Sequence, residues 1–311
     1  MKEINYFSFV VENVEFTVYT DETEFVLNRH LFSPVHMHPI NEMCIMIKGN
    51  SLIKGDFPTV SFNQYDVCII PPLTYHNTFT HTDSTLDRIT VKFTFRKLDN
   101  VNSTANLYEI LKPLLATGSA PIKLGFDKMM IENLINMDSS GDNTFAMLMS
   151  DPIQSIKTKN IFSLFFICIA EQLCKTSLPP DTKLKIYNKD LRYYARLVSI
   201  DVSVYTYTSG KISFAELADR FHVCEKQLSH TIKTEYGTTA KMLTYETRMK
   251  RAASLLIHFP DTPIHVIAEN VGYSSPEILS IMFKKYYGMS ATEYKKRNIS
   301  TTTFYSLPEN Y

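Results

Sequence analysis

The feature that most constrains this chain is an approximate internal repeat, offset by about 50 residues, in its last hundred positions. The first copy reads Ile212-Ser213-Phe214-Ala215-Glu216-Leu217-Ala218, then a turn at His222, then Leu228 and Ile232. The second reads Ile264-His265-Val266-Ile267-Ala268, then a turn at Gly272, then Leu279 and Phe283. Each copy predicts a short helix carrying a small residue, a tight turn, and a second helix with two apolar anchors. Alanine lets two helices cross closely, and glycine accepts the backbone of the turn.

Between the copies, residues 241–259 place Met242, Tyr245, Met249, Ala252, Ala253 and Leu256 at helical spacing, so one face is expected to pack against both units. About 19 residues at a rise of roughly 1.5 Å span close to 28 Å. That approaches the roughly 34 Å repeat of B-DNA, so two rigidly joined units can enter successive segments of one major groove. Pro263 suits the start of the following helix.

These units resemble the DNA-binding domain of the AraC/XylS family. The resemblance covers residues 190–297 and is most specific in Ala268-Glu269-Asn270-Val271-Gly272-Tyr273-Ser274-Ser275 and Phe283-Lys284-Lys285-Tyr286-Tyr287-Gly288-Met289-Ser290-Ala291-Thr292-Glu293-Tyr294. It implies a transcription regulator that binds double-stranded DNA, in the expected mould an activator. Carried onto this chain, the outward face of the first recognition helix presents Lys226, Gln227, Ser229 and His230, the last standing where arginine is frequent. The second presents Pro276, Glu277, Ser280 and Ile281, with isoleucine again in an arginine position. Arginine reads guanine through two hydrogen bonds, whereas isoleucine offers only apolar contact to a thymine methyl, so the first unit is expected to carry most base readout. Lys233, Lys284 and Lys285 are candidate phosphate contacts. Cys224 falls at the N-cap and His222 replaces the turn glycine, both of which weaken the first unit's turn.

Upstream the period changes. From residue 9 to 97, Val14, Phe16 and Val18, and again Ile89, Val91, Phe93 and Phe95, alternate with polar residues, while residues 44–47 and 67–70 are brief apolar runs. Turn chemistry at Lys48-Gly49-Asn50, Gly55-Asp56 and Pro71-Pro72 separates them, which predicts a β-sandwich or barrel. His36, His38, Glu42 and His76, with Gly49, Pro71-Pro72 and Tyr75, resemble the two cupin motifs, although the glycines that open both motifs are missing. In a regular strand residues 36, 38 and 42 point to one side. Three nitrogens and a carboxylate then suit a divalent transition metal, direct contact with an effector, or a structural hydrogen-bond cluster, and the residues alone leave all three open.

After residue 98 helical spacing takes over. Leu107, Ile110, Leu111, Leu114 and Leu115 predict one helix, Met129, Met130, Leu134 and Ile135 a second, and residues 153–175 a longer third. That third helix carries more apolar surface than one stripe of a monomer needs, which points to pairing with a second copy as well as to a core role. Residues 178–189 read as a linker, and the chain from 190 onward as helical. The expected fold is α+β: a cupin-like effector-sensing domain over 1–98, a helical connector and dimerisation region over 99–189, the double helix-turn-helix domain over 190–298, and a tail over 299–311. An effector in the barrel would shift the connector and with it the DNA units.

Composition bears on what remains. Apolar residues make up 44% and charged residues 21%, with zero net charge, which fits a soluble globular chain and excludes a strongly basic nucleic-acid binder. Residues 211–311 nevertheless hold 13 Lys and Arg against 10 Asp and Glu, leaving 19 against 22 upstream. Met1 to Phe9 has no continuous apolar run, and residues 161–170 are too short a greasy stretch to span a bilayer, so no leader and no membrane partner are expected. Five cysteines at irregular spacing point to a reduced, cytoplasmic setting. No P-loop, GxGxxG or HExxH pattern occurs, so no cofactor beyond the metal and no enzyme activity is expected; a cupin metalloenzyme with a helical appendage is the alternative.

Overall fold

The computed structural model describes residues 6–29, 33–79, 86–99, 101, 105–135, 152–176, 212–221 and 223–298. Nine strands fill the described N-terminal part: β1 (Tyr6–Val11), β2 (Val14–Arg29), β3 (Asn41–Lys48), β4 (Asn50–Gly55), β5 (Val60–Asn63), β6 (Asp66–Ile70), β7 (His76–Phe79), β8 (Leu86–Lys97) and β9 (Ile122–Gly125). They form a six-stranded sheet, ordered β1-β2-β8-β3-β6-β9, and a three-stranded sheet, ordered β5-β4-β7. Among the described residues these remain two sheets. Of the expected sandwich or barrel, the described strands form two sheets that are not closed on each other, joined at the tight β3–β4 connection, where Gly49 adopts a φ of 81° that favours glycine.

The central strands of the large sheet, β3, β6 and β8, are buried on both faces. On one side Phe9, Phe16, Phe93 and Phe95 join Met43, Ile45, Val67 and Ile69. On the other, Cys44, Met46, Cys68 and Ile70 meet Ile53 and Phe62 from the small sheet. The alternation read in β8 thus has no solvated side, and Arg88, Thr90 and Lys92 are buried with their apolar neighbours. Strand β9 pairs with β6 and extends the sheet from a stretch where only helical spacing was read. It is bracketed by α1 (Leu107–Leu111), a 3-10 turn over Lys112–Leu115, and α2 (Lys128–Ile135).

The long helix α3 (Pro152–Lys175) lays Phe162, Phe165, Phe166, Ile169, Ala170 and Leu173 on the sheet. Phe166 stacks on Phe16 with ring centroids 4.3 Å apart and meets Phe93 edge-on at 5.0 Å. Its length and hydropathy match a membrane-crossing helix, yet this phenylalanine face is occupied by the sheet. A second stripe, Ile153, Ile156, Leu164 and Ile167, is exposed.

Among the described residues six helices follow: α4 (Phe214–Arg220), α5 (Glu225–Tyr236), α6 (Ala240–His258), α7 (Ile264–Asn270), α8 (Pro276–Tyr287) and α9 (Ala291–Asn298). Leu217, Ala218, Leu228 and Ile232 form one small core with Ala240 and Leu243 from α6. Ile267, Ala268, Leu279 and Phe283 form another with Met249, Ala252, Ala253 and Leu256. The two units therefore use different faces of α6 rather than one shared face. Met242, expected inward, is 43% exposed, and its neighbour Leu243 fills the first core instead. The linker over 178–189, the residues from 190 to 211, the turn residue His222 and the tail over 299–311 lie outside the described residues.

Candidate nucleic-acid interface and buried histidine cluster

Recognition helices need apolar anchors beneath and polar side chains above. In α5, Leu228 and Ile232 are buried, whereas Lys226, Gln227, Ser229, His230 and Lys233 are all exposed. In α8, Leu279 and Phe283 are buried, and Glu277, Ser280, Ile281, Lys284 and Lys285 are exposed. Ile281 is 68% exposed. Lys296 and Arg297, in the last turn of α9, add exposed positive charge that no sequence motif singled out.

The turns and caps explain why these helices begin where they do. Ser213 and Glu216 form a reciprocal capping box at α4: the Ser213 hydroxyl accepts the Glu216 N–H at 3.1 Å, and the Glu216 carboxylate accepts the Ser213 N–H at 2.7 Å. Ser275 caps α8 by accepting the Ile278 N–H. At α5 the N-cap is Cys224, as expected, and Gln227 Oε1 accepts both its N–H at 3.3 Å and its thiol at 3.5 Å. Gln227 is thus partly engaged in its own helix. In the second unit Gly272 turns with a φ of 83°, and Arg248 of α6 donates to its carbonyl at 2.8 Å while lying over the Tyr273 ring.

The histidine cluster forms by a different route from the regular strand expected. His36 forms an isolated antiparallel bridge to His76 with both N···O distances 2.9 Å, and the His38 carbonyl accepts the Leu73 N–H at 2.6 Å. Residues 39–40 bend before β3 begins, so no regular strand runs from His36 to Glu42. His38 Nε2 donates to Glu42 Oε2 at 2.7 Å, and His76 Nε2 lies 3.7 Å from the same oxygen. One potential ligand atom from each of the four residues lies within 4.8 Å of all the others. Burial alone would raise the Glu42 carboxyl, but the facing His38 and His76 rings outweigh it and hold it well below the usual carboxylate range. Burial lowers His36, as do the two neighbouring imidazoles, so its ring is held neutral.

Three polar groups on the same side of β3 and β8 escaped sequence reasoning. Cys44 donates its thiol to Glu42 Oε1 at 3.5 Å. Arg88 Nε and Nη1, and Thr90 Oγ1, are buried without a hydrogen-bond partner. The signal in the sequence was a basic residue at every fourth position, Arg88 and Lys92, which reads as a solvated face until a second sheet covers it.

The other surprise is where α6 sits. Its polar stripe Thr247, Arg251, Ser254 and His258 is buried against the N-terminal sheets. Tyr75 reaches Thr247 at 3.4 Å, Asn77 donates to Ser254 at 3.1 Å, and Arg251 Nε donates to the Val35 carbonyl at 2.8 Å. Lys54 donates to His258 Nε2 at 3.1 Å, Phe79 packs on the His258 ring at 4.8 Å, and Lys250 pairs with Asp56. The helix that joins the two helix-turn-helix units is therefore also the surface on which the N-terminal sheets dock.

Comparison with known proteins finds similarity to helix-turn-helix regulators. A family model described as a helix-turn-helix domain matches residues 217–297. The HTH-type transcriptional activator RhaS of Escherichia fergusonii is 24% identical over 265 residues, covering 85% of this chain and 87% of that protein. The lactose operon transcription activator of Staphylococcus xylosus is 24% identical over 167 residues, 52% of this chain and 57% of that protein. Among solved structures, ToxT from Vibrio cholerae aligns over 88% of this chain and 97% of its own, at 12% identity and a TM-score of 0.36. The curated relatives are named as regulators, which sets the enzyme alternative aside. With its paired units and the matching helix-turn-helix domain at its C-terminal end, the chain is a DNA-binding transcriptional regulator similar to these activators.

Proposed function

We propose that this regulator reads double-stranded DNA through the exposed faces of α5 and α8, with Lys226, Gln227, Ser229, His230, Glu277, Ser280 and Ile281 toward the bases and Lys233, Lys284 and Lys285 toward phosphates. The observation that carries this reading is the pairing, twice over, of buried anchors with an exposed polar face on helices tied to one central rod. The N-terminal sheets, read as cupin-like, sense a small effector at His36, His38, Glu42 and His76. The domains run over 1–98, 99–189 and 190–298, with a tail over 299–311, and the protein acts in the cytoplasm as an activator, as its curated relatives are named.

The exposed stripe Ile153, Ile156, Leu164 and Ile167 on α3 pairs with a second copy, giving a homodimer. Sedimentation of the full chain and of Leu164→Glu checks this, a dimer being expected for the first and a monomer for the second. Fluorescence anisotropy against promoter fragments from the chain's own genomic neighbourhood tests the central reading. Salt-sensitive binding that prefers one fragment supports it, and equal affinity for promoter and scrambled duplex at every salt concentration overturns it.

A further inference from the structure

We propose that the N-terminal sheets clamp the two helix-turn-helix units in one mutual placement, that Arg251 and Leu73 are positioning residues of this clamp, and that it sets the spacing of the DNA segments the chain selects. This rests on the reading of α5 and α8 as recognition helices.

The units need a constraint from outside. The first builds its core with Ala240 and Leu243 near the start of α6, and the second with Met249, Ala252, Ala253 and Leu256 further along. Among the described residues no helix of one unit packs broadly on a helix of the other. Each unit is thus attached along one side of a single helix, and a slight rocking about that attachment moves its recognition helix relative to the other.

The N-terminal residues reach both units and the rod between them. Met37 and Leu73 pack against the first unit's core of Leu217, Phe221, Leu228 and Ile232. Thr247, Arg251, Ser254 and His258 lie buried along about three turns of α6. Arg251 Nε donates to the carbonyl of Val35, which shares a short segment with Met37. On the second unit's side Asp56 pairs with Lys250, whose ammonium lies 4.8 Å from the centre of the Tyr75 ring. Burial raises the Tyr294 hydroxyl of α9, and the Asp56 carboxylate raises it further, which puts that turn beside the second unit.

Leu73 carries an independent sign of this role. Its φ of 59° places a leucine in the left-handed region, which residues with a Cβ rarely adopt. The His38 carbonyl accepts its N–H at 2.6 Å, and its half-buried side chain lies on the first unit. Backbone held in so sparse a region persists only where the surroundings fix it.

Docking leaves the reading faces open. Lys226 and His230 on α5, and Ser280 and Ile281 on α8, are exposed while all of these contacts are made. The clamp therefore does not shield the groove-facing sides; it removes freedom that binding would otherwise have to remove. One base pair added between two groove segments shifts them by about 3.4 Å and turns them by roughly 34°, a change that a clamped pair resists and a loose pair follows.

The test uses the full-length chain and the promoter fragment it prefers. Hydroxyl-radical footprinting locates the adjacent contacted segments, and the DNA between them is lengthened or shortened by one base pair. By anisotropy the wild type should lose affinity about tenfold or more on either altered duplex, and Arg251→Gln and Leu73→Gly less than about threefold. Arg251→Lys, which keeps a donor toward Val35, should restore the preference. Circular dichroism checks each fold, and because glycine accepts a φ of 59°, Leu73→Gly carries the comparison if Arg251→Gln does not fold. A single contacted segment, a wild type indifferent to spacing, or folded variants as selective as the wild type overturns the clamp and leaves the regulator reading standing. Equal affinity of the wild type for promoter and scrambled duplex overturns the regulator reading itself, and the clamp with it.

Discussion

His76 and Asn77 are consecutive on β7 and face opposite ways: the His76 ring lies 3.7 Å from the Glu42 carboxylate, while the Asn77 amide donates to Ser254 of α6 at 3.1 Å. Period-two geometry makes this unavoidable for any strand buried on both sides, and all four residues of β7 are buried. Tyr75 and Phe79 share the outward parity of Asn77 and contact Thr247 and His258. One short strand is thus both the wall of the histidine cluster and the seat of the helix that carries the DNA-binding units.

The DNA-facing assignment is checked at the base-reading positions. Lys226→Ala should lower affinity for the specific site about tenfold, since one good base contact is worth roughly 1 to 3 kcal/mol. Ile281→Ala should cost less, because only an apolar contact is lost. Anisotropy on specific and scrambled duplexes separates base reading from phosphate contact. An unchanged affinity for Lys226→Ala would mean that the wrong face of α5 has been assigned to the groove.

The dock between the N-terminal sheets and α6 should weaken in acid. Burial lowers His258 to about 4, the Lys54 ammonium adds to this, and the Ser254 carbonyl opposes it only in part. The ordinary histidine value near 6.5 applies when the chain is unfolded, so the unfolded state binds more protons between the two values. The contribution is complete above about pH 6.5 and is lost as pH falls toward 4, amounting to about 2 kcal/mol at pH 5. Urea melts at pH 7.5 and pH 5 should show this drop in the wild type and a smaller one in His258→Gln; parallel drops in both would refute the assignment.

Arg88 tests whether the buried polar wall between the two N-terminal sheets is built for stability. Two of its guanidinium nitrogens are buried and unpaired, and replacing buried charge by an apolar side chain of similar volume is often neutral or stabilising by about 1 to 4 kcal/mol. Arg88→Met should therefore leave the urea midpoint unchanged or raise it. A loss beyond about 2 kcal/mol would reveal a strong partner for the guanidinium.

Thiol reactivity reports on the sheets directly. Cys44 and Cys68 face each other across β3 and β6, and burial pushes Cys44 up to about 12 and Cys68 well above the ordinary thiol value. Cys174 and Cys224 are exposed. Ellman's reagent should modify Cys174 and Cys224 quickly in the native chain, Cys168 more slowly, and Cys44 and Cys68 only after denaturation. Rapid labelling of Cys44 by mass mapping would show that the inner face of the large sheet is open to water.

What the sequence determined alone is local. Leu228 and Ile232, and Leu279 and Phe283, announce helices because 3.6-residue spacing puts an anchor on one side whatever lies beyond it, and Ser275 and Gly272 mark their ends by cap and turn chemistry. The candidate set His36, His38, Glu42 and His76 was likewise legible as residue types. How its members meet was not, because a bend and a cross-strand bridge stand where a regular strand was expected. Tertiary structure also decided the fate of Thr247, Arg251, Ser254 and His258, a stripe that spells a solvated face until Tyr75, Val35, Asn77 and Lys54 cover it. Those partners stand 172 to 216 residues upstream. Short-range spacing encodes which side of an element is apolar, but whether a polar side meets water or another domain depends on contacts that only the folded chain brings within reach.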